Sequence, residues 1–248
     1  MAAIAIYSPK GGVGKTTLSV NLAWAAATLS SRRTLLWDLD AQASASFILA
    51  PDRKAADPAR AVLERDVAPE RLIVPTNVAR LDLLPADTSL RALDHLFGGM
   101  EQKKRLRRLT TALQQRYDRI LIDCPPGIGP TTEQIIRGVS LIVVPVIPST
   151  LALRTARELT AHLHGRKTMP AVMPVFNLAD RRRAGHRAAL AEAPEQPVIP
   201  MTSLLDQIAD RHAPLGAYAP RSPAAAAIAD LWRRIEATLA RLPPDQRS

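Results

Sequence analysis

Cysteine is nearly absent from the 248 residues: Cys124 is the single one. One thiol cannot build a disulfide framework, a cysteine-rich zinc site or an intrachain iron–sulfur site. No uninterrupted apolar run reaches the roughly 20 residues that span a bilayer. The start, MAAIAIYSPKGG, has no charged n-region and no small-residue cleavage site, so it reads as a strand entering a loop and not as a secretory signal. Internal repeats and long low-complexity tracts are also missing. These absences leave a cytoplasmic protein as the expectation, with residues 1–248 forming one domain. Lysine is scarce too. Six of the 33 basic residues are lysine, so arginine carries almost all of the net charge of +10. That excess points to a polyanionic partner such as nucleic acid or an anionic membrane surface, or else reflects coding bias.

What is present is an alternation of short apolar runs and helix-like stretches. Strands are expected at Ala3–Tyr7, Thr34–Leu39, Leu81–Leu84, Arg119–Ile122, Leu141–Val146 and Ala171–Phe176. Most are nearly continuous in Val, Ile and Leu, as suits strands buried on both faces. Helices are expected at Thr16–Leu29, Gln102–Arg116, Thr131–Gly138, Leu151–His164 and Ala224–Leu242. The pattern predicts a doubly wound α/β fold, a mostly parallel sheet with flanking helices and ligands at the carboxyl ends of its strands. Pro51–Pro69 reads as a short helix with loops, and Arg181–Gln196 as an exposed connection or helix.

The first strand runs into SPKGGVGKTT, which fails the strict phosphate-loop pattern because Pro9 stands where that pattern has its first glycine. Gly11, Gly12, Val13 and Gly14 still form a tight strand-to-helix turn whose N–H groups can face an anion. Lys15 adds a point charge, Thr16 a hydroxyl suited to Mg²⁺, and Thr17 continues the helix start. Lys10 is an additional cation. LLWDLDAQASAS places Asp38, Asp40 and Gln42 at alternating positions beyond a buried strand, from which all three can point the same way. YDRILIDCPPGIG ends its strand in Asp123, a carboxylate suited to Mg²⁺ held directly or through water. Cys124 beside it reads as a small buried residue.

KGGVGKTT resembles the deviant Walker A motif of the ParA/MinD family of P-loop ATPases. The resemblance runs from residue 3 to about residue 240 and is most specific at this loop. It implies that Lys10 reaches across a nucleotide-sandwich homodimer to the partner's phosphates, while Lys15 serves its own ATP. DLDAQ resembles the family's D-x-D-x-Q switch, which implies that Asp40 orients the attacking water and Asp38 sits near the metal. DCPPG matches the D-x-P-P switch. NLADRR resembles N-x-x-D-x-R, which makes Asn177 the adenine-recognition candidate with Asp180 as its companion. The C-terminal stretch matches only weakly.

Family members position plasmids, chromosomes or large protein bodies by ATP-dependent nonspecific DNA binding, with a ParB-like or other cargo adaptor stimulating hydrolysis. Others bind membrane. The resemblance here is to the short form without an N-terminal helix-turn-helix, nucleoid-associated by implication. For DNA, the candidates are Arg181, Arg182, Arg183 and Arg187, with Arg166, Lys167, Arg211 and Arg221 in support and His162, His164 and His186 adding charge at mildly acid pH. The arginine cluster is otherwise a solvated face, and KKRLRR at 103–108 reads as one. One departure stands out: Met201 and Leu204 follow the Ile-Pro dipeptide where short chromosomal members often carry arginines. The last helix has an apolar face, and Trp232 beside Arg233 and Arg234 suits either a membrane interface or packing on the sheet. Two further readings remain: a nucleotide switch that recruits a secretion, cellulose-synthesis or flagellar partner without DNA, and a P-loop ligase or synthetase.

Overall fold

The computed structural model describes residues 1–53, 57–64, 67–97, 105–154, 158 and 170–243. Its centre is an eight-stranded sheet in the order β3-β4-β2-β5-β1-β6-β7-β8. The strands are β1 (Ala2–Ile6), β2 (Thr34–Asp38), β3 (Val74–Pro75), β4 (Leu81–Leu84), β5 (Arg119–Asp123), β6 (Leu141–Val146), β7 (Ala171–Ala179) and β8 (Val198–Pro200). Every neighbouring pair is parallel except β3 with β4. The chain is thus a doubly wound α/β protein, as its apolar alternation predicts.

All residues of β1, β2, β5 and β6 are buried, because helices cover both faces of the sheet. One core lies on the side of Leu35, Trp37, Ile120 and Ile122. The other, with Leu36, Leu121 and Val143, is covered by helix α1 (Lys15–Leu29) and by the final helix, Pro223–Arg241. Helix α1 is small and apolar on most sides, which lets it sit between the sheet and that final helix. Ser222 caps the final helix, its hydroxyl accepting from Ala225 N at 3.2 Å, and Pro223 fills the first turn. Trp232 is buried and donates its Nε1–H to Ser30 Oγ at 2.8 Å. The apolar face of this helix therefore packs on the sheet and is not offered to a membrane.

Several expectations shift. Strands β3 and β8 are added and β7 runs on to Ala179, while the Arg181–Gln196 stretch contains a helix at Ala184–Glu192, one of the two forms expected for it. In the basic run, Lys103 and Lys104 lie outside the described residues, and Arg105 is buried rather than solvated, with only Arg107 and Arg108 exposed. The expected helix from Leu151 is described only over 150–154 and at 158; His162, His164, Arg166 and Lys167 lie outside the described residues.

Candidate functional site

The loop between β1 and α1 sits at the carboxyl end of the central strand. Gly14 adopts φ 83°, in the left-handed region that favours glycine, and a Cβ there would stand 2.3 Å from Asn177 Nδ2. Lys10, Gly11 and Gly12 are exposed, Val13 is buried, and Thr16 and Thr17 are half-buried. Lys15 is buried in the first turn of α1, and its Nζ curls back to donate to the Lys10 carbonyl at 3.2 Å. The first turn of α1 contains no acidic residue, so helix dipole, backbone N–H groups and Lys15 act together on an anion.

Asp38 and Asp123 end β2 and β5 as partner positions in the ladder, and both are fully buried. Asp123 Oδ1 accepts from Ser19 Oγ at 2.9 Å, while its Oδ2 has no protein partner. Asp38 is more completely satisfied: Oδ2 accepts from Ser46 Oγ at 2.7 Å and Ser46 N at 2.9 Å, and Oδ1 from Asp40 N at 3.1 Å. Burial raises the pKa of both carboxyls; the Asp38 charge pushes Asp123 up further, and the Asp40 charge adds to the rise at Asp38. The Thr16 and Ser19 hydroxyls counter this at Asp123. Two adjacent buried carboxylates, one with an open oxygen beside Thr16, fit a divalent cation. Among the described residues no three His, Cys, Asp or Glu side chains form a metal cage. Mg²⁺ takes one or two carboxylates and fills its shell with water and phosphate, a demand that the Asp38 and Asp123 pair with the Thr16 hydroxyl can meet.

The alternation that placed Asp38, Asp40 and Gln42 on one side stops at Asp38, where β2 ends. Asp40 opens a turn instead: its Oδ1 accepts from Gln42 N at 2.9 Å, and its carbonyl accepts from Ala43 N at 2.8 Å. Asp40 stays half-exposed, one turn from the buried pair, while Gln42 faces solvent.

Asn177 lies within β7 and is fully buried. Its Nδ2 donates to the Val13 carbonyl at 2.7 Å, which ties β7 to the glycine loop, and its Oδ1 is buried without a protein partner. Asp180 does not accompany it. That carboxylate binds Arg182 Nε at 2.9 Å and Arg183 Nε at 3.6 Å, and the Arg182 hydrogen bond lowers its pKa to about 2. Arg187 donates to the Arg181 and Arg182 carbonyls. The four arginines thus gather after the carboxyl end of β7, on the sheet edge that carries the glycine loop, with part of their charge offset by Asp180. Of the supporting cations, Arg211 stacks on Tyr218, Arg221 is exposed, and His186 is buried, its Nδ1 accepting from Asp180 N. Met201 is exposed after β8. Cys124 is fully buried, which raises its thiol pKa and keeps it unreactive.

Two polar residues that the sequence does not single out complete the site. Ser19 and Ser46 serve Asp123 and Asp38; their only trace is a hydroxyl among apolar neighbours in helices that otherwise read as packing.

A glycine loop opening a helix at the end of the central parallel strand, a lysine arched over it, and a buried aspartate beside the helix threonine define a P-loop ATPase. The sequence model of a family described as an AAA domain matches residues 1–169. The sporulation initiation inhibitor protein Soj of Bacillus subtilis is 31% identical over 252 residues, covering 94% of this chain and 98% of Soj. The cell division ATPase MinD of Pyrococcus furiosus superposes with a TM-score of 0.79 at 25% identity, over 96% of this chain and 99% of MinD. Cobyrinic acid a,c-diamide synthase of Mycobacterium smegmatis, crystallised with an ATP analogue and magnesium, superposes with a TM-score of 0.76 at 26% identity, over 97% of this chain and 96% of the synthase. The chain belongs to the ParA/MinD family of P-loop ATPases.

Proposed function

We propose that residues 1–248 act as one ATPase domain that binds ATP with Mg²⁺, pairs with a second copy around two nucleotides and in that state binds nonspecific DNA. Slow hydrolysis, stimulated by a ParB-like or other cargo adaptor, releases the DNA and positions a plasmid, a chromosome or a large protein assembly at the nucleoid of the cytoplasm. The observation that carries this reading is Lys10: an exposed second cation in a loop whose own lysine is already committed to the nucleotide site.

The loop N–H groups from Gly11 to Thr17 and the Lys15 ammonium hold the phosphates. Thr16 and Asp123, with Asp38 behind, would hold Mg²⁺, which neutralises charge on the phosphate oxygens. Asp40 orients the water for in-line attack on the γ-phosphate, and Lys10 of the opposite subunit stabilises the charge that develops. Asn177 braces the loop from below, and contact with adenine would require the nucleotide to uncover a side chain that is fully buried under that loop.

A second reading, a switch that recruits a protein partner without DNA, is favoured by the Asp180 ion pairs within the arginine cluster and by the exposed Met201.

Equilibrium sedimentation tests the switch. Wild-type protein should be monomeric alone and with ADP, and dimeric with ATP–Mg²⁺. Lys10→Ala should bind ATP as a monomer, and Asp40→Ala should persist as an ATP-bound dimer. A Lys10→Ala protein that dimerises like wild type removes the in-trans role.

A further inference from the structure

We propose that Tyr7 is a positioning residue for Lys10, acting through a strap between the loop after Asp123 and the glycine loop; this rests on the reading that Lys10 serves a second subunit. The strap is centred on Gly127, in the loop 124–129. Gly127 N–H donates to the Pro9 carbonyl at 3.1 Å. Its own carbonyl accepts from the Tyr7 hydroxyl at 2.9 Å and from Thr132 Oγ1 at 3.2 Å. Gly127 sits at φ 103°, a conformation that few other residues adopt, so its peptide is aimed at Pro9 by a turn built for that purpose.

Lys10 has little else to fix it. Its side chain is exposed and borders a cavity of about 260 Å³ lined by Ser8, Val13, Val144, Val146 and Ala152. Its backbone is held from two sides: by Lys15 Nζ on its carbonyl and by Gly127 on the carbonyl of Pro9. The first hold is one a phosphate competes for, because the Lys15 ammonium is the charge that meets the nucleotide. Once Lys15 turns to phosphate, the Gly127 strap is what remains on the loop beside Lys10. Tyr7 anchors that strap from the core: it is buried at the end of β1, in one cluster with Cys124 and Val144. Burial raises the pKa of its phenol, so the hydroxyl stays a donor throughout the neutral range. The same loop follows directly on Asp123, so the strap also links the strand that ends at the metal site to the backbone beside Lys10.

The test is Tyr7→Phe, which keeps the ring and removes the hydroxyl, with Thr132→Val as a second removal from the same carbonyl. Loss of one such hydrogen bond should weaken ATP-dependent dimerisation about two- to tenfold. Binding of a fluorescent ATP analogue should stay within about twofold, read in the Lys10→Ala background so that dimerisation does not contribute. Lys10→Ala/Tyr7→Phe should bind the analogue as tightly as Lys10→Ala alone and unfold at the same temperature within about 2 °C, because the strap then has no lysine to place. A role confined to general packing would instead lower analogue binding and the unfolding temperature in both backgrounds, and that result overturns the proposal. So does a Tyr7→Phe protein that dimerises like wild type while Lys10→Ala does not. Should Lys10→Ala itself dimerise normally, the in-trans reading fails and the strap loses its object.

Discussion

Asp38 and Asp123 stand side by side at the ends of β2 and β5, in register and both without solvent contact. Two carboxylates so placed repel each other and resist ionisation unless a cation joins them. Asp123→Asn keeps an acceptor for Ser19 and removes a carboxyl whose pKa burial and the Asp38 charge raise well above the usual carboxylate range. It should therefore stabilise the protein without nucleotide or Mg²⁺ at neutral pH, by more than about 1.4 kcal/mol, the worth of one pKa unit. ATP hydrolysis should be lost in the same protein. Urea unfolding at neutral pH checks the first effect and phosphate release the second; a destabilised Asp123→Asn would show that the pair is not repulsive.

Gly14 and Asn177 are matched to each other. Gly14→Ala would place a methyl 2.3 Å from Asn177 Nδ2 on a backbone at φ 83°. Left-handed strain and the clash together should cost about 2–3 kcal/mol, with at least a tenfold loss of ATP affinity. Removing the obstructing side chain in Gly14→Ala/Asn177→Ala should recover part of the stability and none of the loop conformation. Thermal unfolding and titration with a fluorescent ATP analogue distinguish the two contributions.

The fold was legible where burial is one-sided in composition. Strands such as RILID and LIVVPV are continuous apolar runs, and the loop from Lys10 to Thr17 is dense in residues whose chemistry is unambiguous. Strands β3 and β8, with two and three residues, carry no periodicity to read. The end of β7 was obscured because Asn177 looks like a turn residue, while in the structure it is a buried strut under the glycine loop. Ser19 meets Asp123 across 104 positions of sequence, a pairing that only the packed sheet creates. Arg105 and Asp180 show the same limit for charge: a basic run does not reveal which member turns inward or which is already paired.

Asp180 restrains the arginine cluster. Its pKa, lowered to about 2 chiefly by Arg182, keeps it ionised well below neutral pH. The stability this pairing gives is present above the usual carboxylate range and is lost as pH falls through about 2. DNA affinity between pH 5 and 8 should therefore not respond to Asp180 titration. Asp180→Asn should steepen the dependence of log affinity on log salt by up to about one unit, and Arg181, Arg182 and Arg183 changed together to Glu should flatten it. Filter binding across a salt series measures both slopes; identical slopes would move the DNA surface elsewhere.

Arg119 and Glu236 join the central sheet to the final helix through two parallel hydrogen bonds of 2.7 and 2.8 Å. Arg119 is largely buried, with 10% of its side chain exposed, so Glu236→Ala would leave a covered guanidinium short of acceptors. The expected loss is about 1–3 kcal/mol in urea unfolding. A neutral result would mean that Arg119 finds solvent when the helix lets go.

Binding to nonspecific duplex DNA without nucleotide, with ADP and with ATP–Mg²⁺, each across a salt series, bears most directly on the proposed function. A DNA-riding positioning ATPase should bind only with ATP–Mg²⁺, with affinity falling steeply as salt rises. Absence of binding in every nucleotide state would contradict that function, make the arginine excess incidental and leave a switch that recruits a protein partner.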